Sequence, residues 1–223
     1  MGRIITAIET QKRNQDRVNI YLDGQYAFGV ARILAAWLHI GQELSEEKIA
    51  RLIAEDAHES AYSYALRLLD RQERTEKDLR QHLARKDIPE ETVQGVIERL
   101  RRAGLLDDQR YAQNWVENRS VFRPRSRSAM AYELKLKGIS KQSIDQALVQ
   151  VDDEQMAYLA AQKYSRRLIS YPWPEYRQKM LSFLARRGFS YETSAPIASR
   201  IWDEIHQGDE TVDFETYDKE VNP

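Results

Sequence analysis

The chain has 223 residues, 42% of them hydrophobic, enough to bury one to three cores. Its 34 basic and 35 acidic side chains leave a net charge of −1, so any surface for a polyanion must be local. Without cysteine there are no disulfides or thiolate metal sites, and no apolar run approaches the roughly 20 residues of a membrane span or forms a secretory leader, so a cytoplasmic protein is expected.

The first 30 residues are rich in β-branched and aromatic side chains, which predicts strands near 3–10, 16–22 and 25–30. Asp23-Gly24 between two alternating runs predicts a type I′ hairpin. A helix is expected around 31–39, and another from Ser45, a candidate N-cap, to about Ala57.

From residue 58 onward the pattern is helical and repeats. Segments 81–100, 132–151 and 182–201 align at spacings of 51 and 50. Leu79, Met130 and Met180 correspond, as do Leu83, Leu134 and Leu184, and Ile88, Ile139 and Phe189. The first two sets lie four apart and give one helix face. Gly138 and Gly188 suit the left-handed residue that ends a helix, with Asp87 in that place in the first unit. A further helix precedes each pair, carrying Tyr64 and Leu68, Tyr111 and Trp115, or Ala160 and Tyr164. The fold class is therefore mainly α, a tandem array of three three-helix units behind a small N-terminal β-hairpin-containing extension. The expected divisions are 1–57 for the extension, 58–106, 107–151 and 152–207 for the repeats, and 208–223 for an acidic mobile tail.

Catalytic signals are poor. His39, His58, His82 and His206 are scattered without ligand spacing, and no phosphate-binding glycine loop or nucleophile elbow occurs. Asp107-Asp108 and Asp152-Asp153 fall at expected helix starts, where acids satisfy free N–H groups, rather than marking a cation. No enzyme activity, metal or cofactor is expected.

The charges are polarised. Residues 118–141 hold Arg119, Arg123, Arg125, Arg127, Lys135, Lys137 and Lys141 against Glu133 alone, a local +6. Residues 163–187 repeat the imbalance, with Lys163, Arg166, Arg167, Arg177, Lys179, Arg186 and Arg187 against Glu175. A weaker +3 version spans 67–86, and 203–223 carries eight acids with Lys219 alone. In RPRSRS, Ser126 caps the helix of Met130 and Leu134. Its counterpart Thr75 has Asp78 three residues on, where the second unit has Ala129. Basic residues at a helix start oppose its dipole, so local stability does not account for them, whereas an external anion would. Tyr171, Trp173 and Tyr176 either stack on bases or pack a helix start, while Tyr111 and Trp115 belong to the core.

The segment LLDRQERTEKDLRQHLARKDIPEETVQGVIERLRRAGLLDDQRYAQNWVENR, followed by RPRSRSAMAYELKLKGI, resembles the RecX regulatory family, bacterial modulators of the RecA recombinase. The resemblance runs from about residue 60 to 205, and TEKDL, GLLDDQRYAQNWVENR and RPRSRS are its most specific parts. It implies a right-handed array of three-helix units lying in the groove of the RecA–DNA filament. There, such proteins restrain strand exchange, ATP hydrolysis and filament growth without catalysis of their own. The expected partners are the RecA filament and single- or double-stranded DNA through phosphate contacts, with no membrane and a monomeric chain. By charge position, the contacts fall to Arg123, Arg125, Arg127, Lys135 and Lys137, then Arg166, Arg167, Arg177, Lys179, Arg186 and Arg187. A helix-turn-helix-like DNA-binding protein and a protein-binding solenoid indifferent to nucleic acid are the rival readings. The acidic end is expected to compete with DNA for the basic face.

Overall fold

The structure is a computed structural model that describes residues 2–210, with side chains through His206. It divides into two compact units between Asp107 and Asp108.

In the first unit, β1 (Arg3–Gln11), β2 (Asn14–Leu22), β3 (Gln25–Ala31) and β4 (Glu43–Leu44) form one antiparallel sheet in the order β3-β2-β1-β4. Asp23 and Gly24 join β2 to β3 with φ of 51° and 83°, the two left-handed residues a type I′ turn requires. Asp23 tolerates this because its carboxylate accepts from the Ile4 amide and the Arg3 guanidinium, both at 3.0 Å. Alternation buries Ile5, Val18, Ile20, Leu22, Phe28 and Val30 on one face.

Residues 31–39 are not a helix, contrary to the expectation. They form successive turns, with three-residue closures such as Leu34 N–H to Ala31 and Leu38 N–H to Ala35. The edge of β1 overrides the local helical tendency. Gly41 N–H donates to the Ile5 carbonyl at 2.8 Å, and Ile5 N–H donates to Gln42 at 2.9 Å, which draws the chain back to pair as β4.

Ser45 caps α1 (Glu46–Arg71) by accepting from the Lys48 amide. This helix runs without a break through residues 57–58, where the sequence pattern suggested a division. Its first half adds Ile49 and Leu52 to the core under the sheet. Its second half adds Ala61, Ala65 and Leu68 to the core of the first repeat, beside α2 (Glu76–Ala84) and α3 (Glu90–Arg102). One helix thus serves two cores. Arg17 and Asp56 pair at 2.7 Å and fasten α1 to the sheet.

The second unit holds α4 (Asp108–Phe122), α5 (Arg127–Leu136), α6 (Lys141–Ala147), α7 (Asp153–Ser165), α8 (Trp173–Ala185) and α9 (Tyr191–Glu210). The repeat register is visible in burial, because Leu79, Met130, Met180, Leu83, Leu134 and Leu184 are all 0% exposed. Gly138 and Gly188 adopt φ of 85° and 89°. Behind them, Ile139 and Phe189 N–H groups reach back to the Leu134 and Leu184 carbonyls, both at 3.2 Å, closing Schellman motifs. Asp87 takes the left-handed place in the first repeat at φ 55°. A single apolar core runs through the second and third repeats, from Ala112 to Ile201. The helix α9 continues to Glu210, into the segment read as a tail. Residues 211–223 lie outside the described residues.

Candidate nucleic-acid interface

The site grows from the short connection between α4 and α5. Pro124 cannot continue α4, and both Pro124 and Ser126 are buried. The Ser126 hydroxyl accepts from the Ala129 amide at 3.1 Å and so starts α5. The same short strand is strapped to the turn after α8. Ser126 N–H donates to the Arg187 carbonyl at 3.1 Å, and Arg187 Nη1 donates back to the Pro124 carbonyl at 2.8 Å. Close approach is possible because position 188 is glycine, where a Cβ would lie 2.5 Å from Ser126 Oγ and 2.8 Å from Ala129 Cβ.

This strap opens a cleft between residues 122–124, α7 and α8, with no acid among the described residues that line it. Its charged lining is Arg123, Lys163, Arg167 and Arg187. Its floor is Tyr164 stacked on Phe183, with centroids 3.9 Å apart and planes at 6°, and Phe122 stands 69% exposed at its edge. The Arg187 guanidinium lies 4.5 Å from the Phe183 centroid. Burial first, and then the neighbouring charges of Arg125 and Arg123, lower its pKa from the usual arginine value. None of the four cations pairs with a carboxylate among the described residues. Lys163 and Arg187 each give a hydrogen bond to a neutral carbonyl, of Val121 and Pro124, which leaves the positive charge uncompensated among the described residues. Four uncompensated cations over aromatic faces present the chemistry that attracts phosphates and stacks bases.

The other expected contact residues are placed differently. Arg125 is not a free contact. It pairs with Glu133 at 2.6 Å, and Glu133 also meets Arg119 at 3.3 Å, so this arginine is held by the fold. The start of α5 is also not vacant, since its first amide, Arg127 N–H, donates to Asp153 Oδ1 at 2.6 Å. An acid of α7 supplies from across the core what Ala129 lacks locally, so an external anion is not required there. Asp152 performs the capping expected of that acidic pair, accepting from Glu154 N–H at 3.0 Å. The Arg127 side chain and Lys135 remain exposed on α5, and Lys137 lies 5.6 Å from the Tyr111 ring. Arg177 donates to the Tyr191 hydroxyl at 2.7 Å, and Lys179 lies 4.6 Å from the Tyr171 centroid. Arg166 and Arg186 are exposed where α7 and α8 end.

Of the aromatic trio, Tyr176 is wholly buried and Trp173 packs on Tyr176 and Trp202, so these two support the start of α8. Burial pushes the Tyr176 hydroxyl up to about 12. Lys163 and the Tyr164–Phe183 stack are the parts of the cleft that charge position alone did not select. The available signal was the alternation of cations and rings in 163–187. Among the described residues no cluster of His, Asp and Glu could hold a metal ion, and no helix is long and apolar enough to cross a membrane.

Comparison with known proteins covers nearly the whole described chain. A family model for the regulatory protein RecX N-terminal domain matches residues 3–45. Models for the first, second and third RecX three-helix domains match residues 61–100, 107–148 and 152–194. A regulatory protein RecX of Limosilactobacillus reuteri (strain DSM 20016) is 38% identical over 191 residues, spanning 83% of this chain and 72% of that protein. One from Clostridium perfringens (strain SM101 / Type A) is 32% identical over 208 residues, spanning 90% and 97%. A crystal structure of a regulatory protein RecX superposes with a TM-score of 0.69 at 35% identity, covering 90% of this chain and 99% of the other. The structure of RecX from Lactobacillus salivarius gives 0.56 at 25% identity, covering 69% and 99%.

Proposed function

The chain belongs to the RecX family of regulatory proteins, and on that premise we propose that it is a non-enzymatic, cytoplasmic regulator of the RecA recombinase. It binds the RecA nucleoprotein filament as a monomer and restrains ATP hydrolysis, strand exchange and filament growth. The observation that carries this reading is the cleft of Arg123, Lys163, Arg167 and Arg187 over stacked rings, with no acid among the described residues that line it. Lys163 and Arg187 also tie the cleft through the Val121 and Pro124 carbonyls, whereas the side chains of Arg123 and Arg167 make no such bond among the described residues. The summed charge suits an anionic partner, either DNA phosphates or an acidic protein surface. Arg127, Lys135, Arg166 and Arg186 extend the positive surface outward, where they strengthen attraction and association rate more than geometry-specific affinity.

DNA-dependent ATP hydrolysis by RecA, measured with and without this protein, tests the proposal. The rate is expected to fall in its presence. The double variant Arg123→Ala, Arg167→Ala should inhibit more weakly and show a flatter salt dependence of binding, by about 0.7 in log–log slope for each single-strand phosphate no longer neutralised. Both side chains are exposed, so the variant should keep the parent's stability. An unchanged ATPase rate with the parent protein would overturn the regulatory reading. Equal inhibition by parent and variant across a salt series would remove the cleft from it.

A further inference from the structure

The cleft's charge surplus has a counterpart within the same chain. Beyond Glu210 the sequence continues as TVDFETYDKEVNP, which carries Asp213, Glu215, Asp218 and Glu220 against Lys219, with rings at Phe214 and Tyr217. The cleft offers four cations, no carboxylate among its described lining residues, and an exposed Phe122 ring. We propose that the cleft is the docking site of the chain's own segment 211–223, which occupies it when no other polyanion is bound. This rests on the reading of the cleft as the anion-binding surface and adds its regulation.

Reach permits the contact within one unit. Trp202 of α9 lies 5.3 Å, ring to ring, from Trp173 at the start of α8. Phe183 on the cleft floor is ten residues further along α8, about 15 Å, and Glu210 is eight residues beyond Trp202, about 12 Å. Even if those lengths and the ring separation all add, the span is about 32 Å. Thirteen extended residues cover about 43 Å. The alternation of acids with aromatic residues matches a surface where cations surround rings, whereas a uniformly acidic stretch would match the charge alone. A tethered ligand acts at an effective concentration near the millimolar range, so even a weak contact holds the cleft against dilute competitors. Salt weakens the contact and the competing DNA contact together.

The experiment compares the full chain with the variant Asp213→Asn, Glu215→Gln, Asp218→Asn, Glu220→Gln. Binding of a fluorescein-labelled oligothymidylate is followed by anisotropy over a salt series. Neutralising the segment should tighten binding by about threefold to tenfold at low salt, with the curves converging at high salt. The gain should vanish when Arg123→Ala and Arg167→Ala are added to both proteins. Equal affinities for parent and neutralised segment at every salt concentration would overturn the proposal. A second measurement stands apart from DNA. A labelled peptide of residues 211–223 is titrated into the chain ended at Glu210, with and without the two arginine substitutions. Salt-sensitive binding that the substitutions abolish supports docking even if no oligonucleotide binds, in which case the DNA reading alone fails. Absence of peptide binding refutes docking whatever the DNA result.

Discussion

Arg74 and Arg125 hold the same place in the first and second repeats, one residue ahead of a fully buried capping hydroxyl, Thr75 or Ser126. Each reaches the residue eight positions on. Arg74 meets His82 Nε2 at 2.9 Å, and Arg125 meets Glu133 at 2.6 Å. One position thus carries one architectural task with two chemistries, a neutral acceptor in the first repeat and a carboxylate in the second. The third repeat has no such pair, since Glu175 and Phe183 stand at the matching positions and Phe183 lies under Arg187. Other cations divide the same way. In the first repeat, Arg80 pairs with Glu76 and Glu90, and Arg99 with Glu59. In the last, Lys163, Arg167 and Arg187 have no carboxylate partner among the described residues. A count of basic residues therefore overstates the uncompensated charge wherever the fold supplies acids, as Glu133 does for Arg119 and Arg125.

The largest effect that can break the comparison lies at its left-handed position. Gly188→Ala forces a side chain to φ 89° and presses its Cβ on the Ser126 cap, whereas the first repeat accommodates Asp87 at φ 55°. Loss of about 3 kcal/mol is expected for Gly188→Ala in chemical denaturation, from backbone strain and a displaced buried cap. Asp87→Gly should change stability by less than about 1 kcal/mol. Comparable losses at the two positions would show that the repeats do not share this constraint.

A smaller effect separates Arg125 from Arg123. Glu133→Ala leaves Arg125 and Arg119, both partly buried, without their shared carboxylate, which should cost about 1–2 kcal/mol after allowance for solvent screening. Arg125→Ala should likewise lower the denaturation midpoint while leaving the salt slope of DNA binding intact. Arg123→Ala should do the reverse. A flattened slope with Arg125→Ala would return that arginine to the interface.

Much of this was legible in the sequence. The spacing of Leu79, Met130 and Met180, with Gly138 and Gly188 behind them, gave the repeat register because helix faces and left-handed caps are local requirements. Asp23-Gly24 gave the hairpin for the same reason. What escaped was long-range. Turns replaced a helix at 31–39 because β1 recruits residues 41–44, and α1 outlasted Ala57 because Ala61, Ala65 and Leu68 found a second core. At the site, the sequence located the basic segments but not their sorting. Asp153 reaches Arg127 N–H across 26 residues, and Arg187 meets Pro124 across 63, distances over which no periodicity carries information.

The subtlest test concerns the neutral partner in the first repeat. Burial first, and then the charges of Arg74 and Arg85, lower the His82 pKa from its ordinary value of 6.5, with Asp78 opposing them. A histidine whose folded pKa is depressed binds its proton more readily in the unfolded chain. Its stabilising contribution is therefore complete above 6.5 and is lost as pH falls through that value toward the folded pKa. The matching pair Arg125–Glu133 contains no histidine. His82→Gln keeps a hydrogen-bond acceptor for Arg74 and removes the titration, so the variant should lose less stability than the parent between about pH 7.5 and about pH 5.5. Parallel losses in both proteins would mean that His82 takes up its proton without opposing Arg74, and that the two repeats do not differ in the way their chemistry implies.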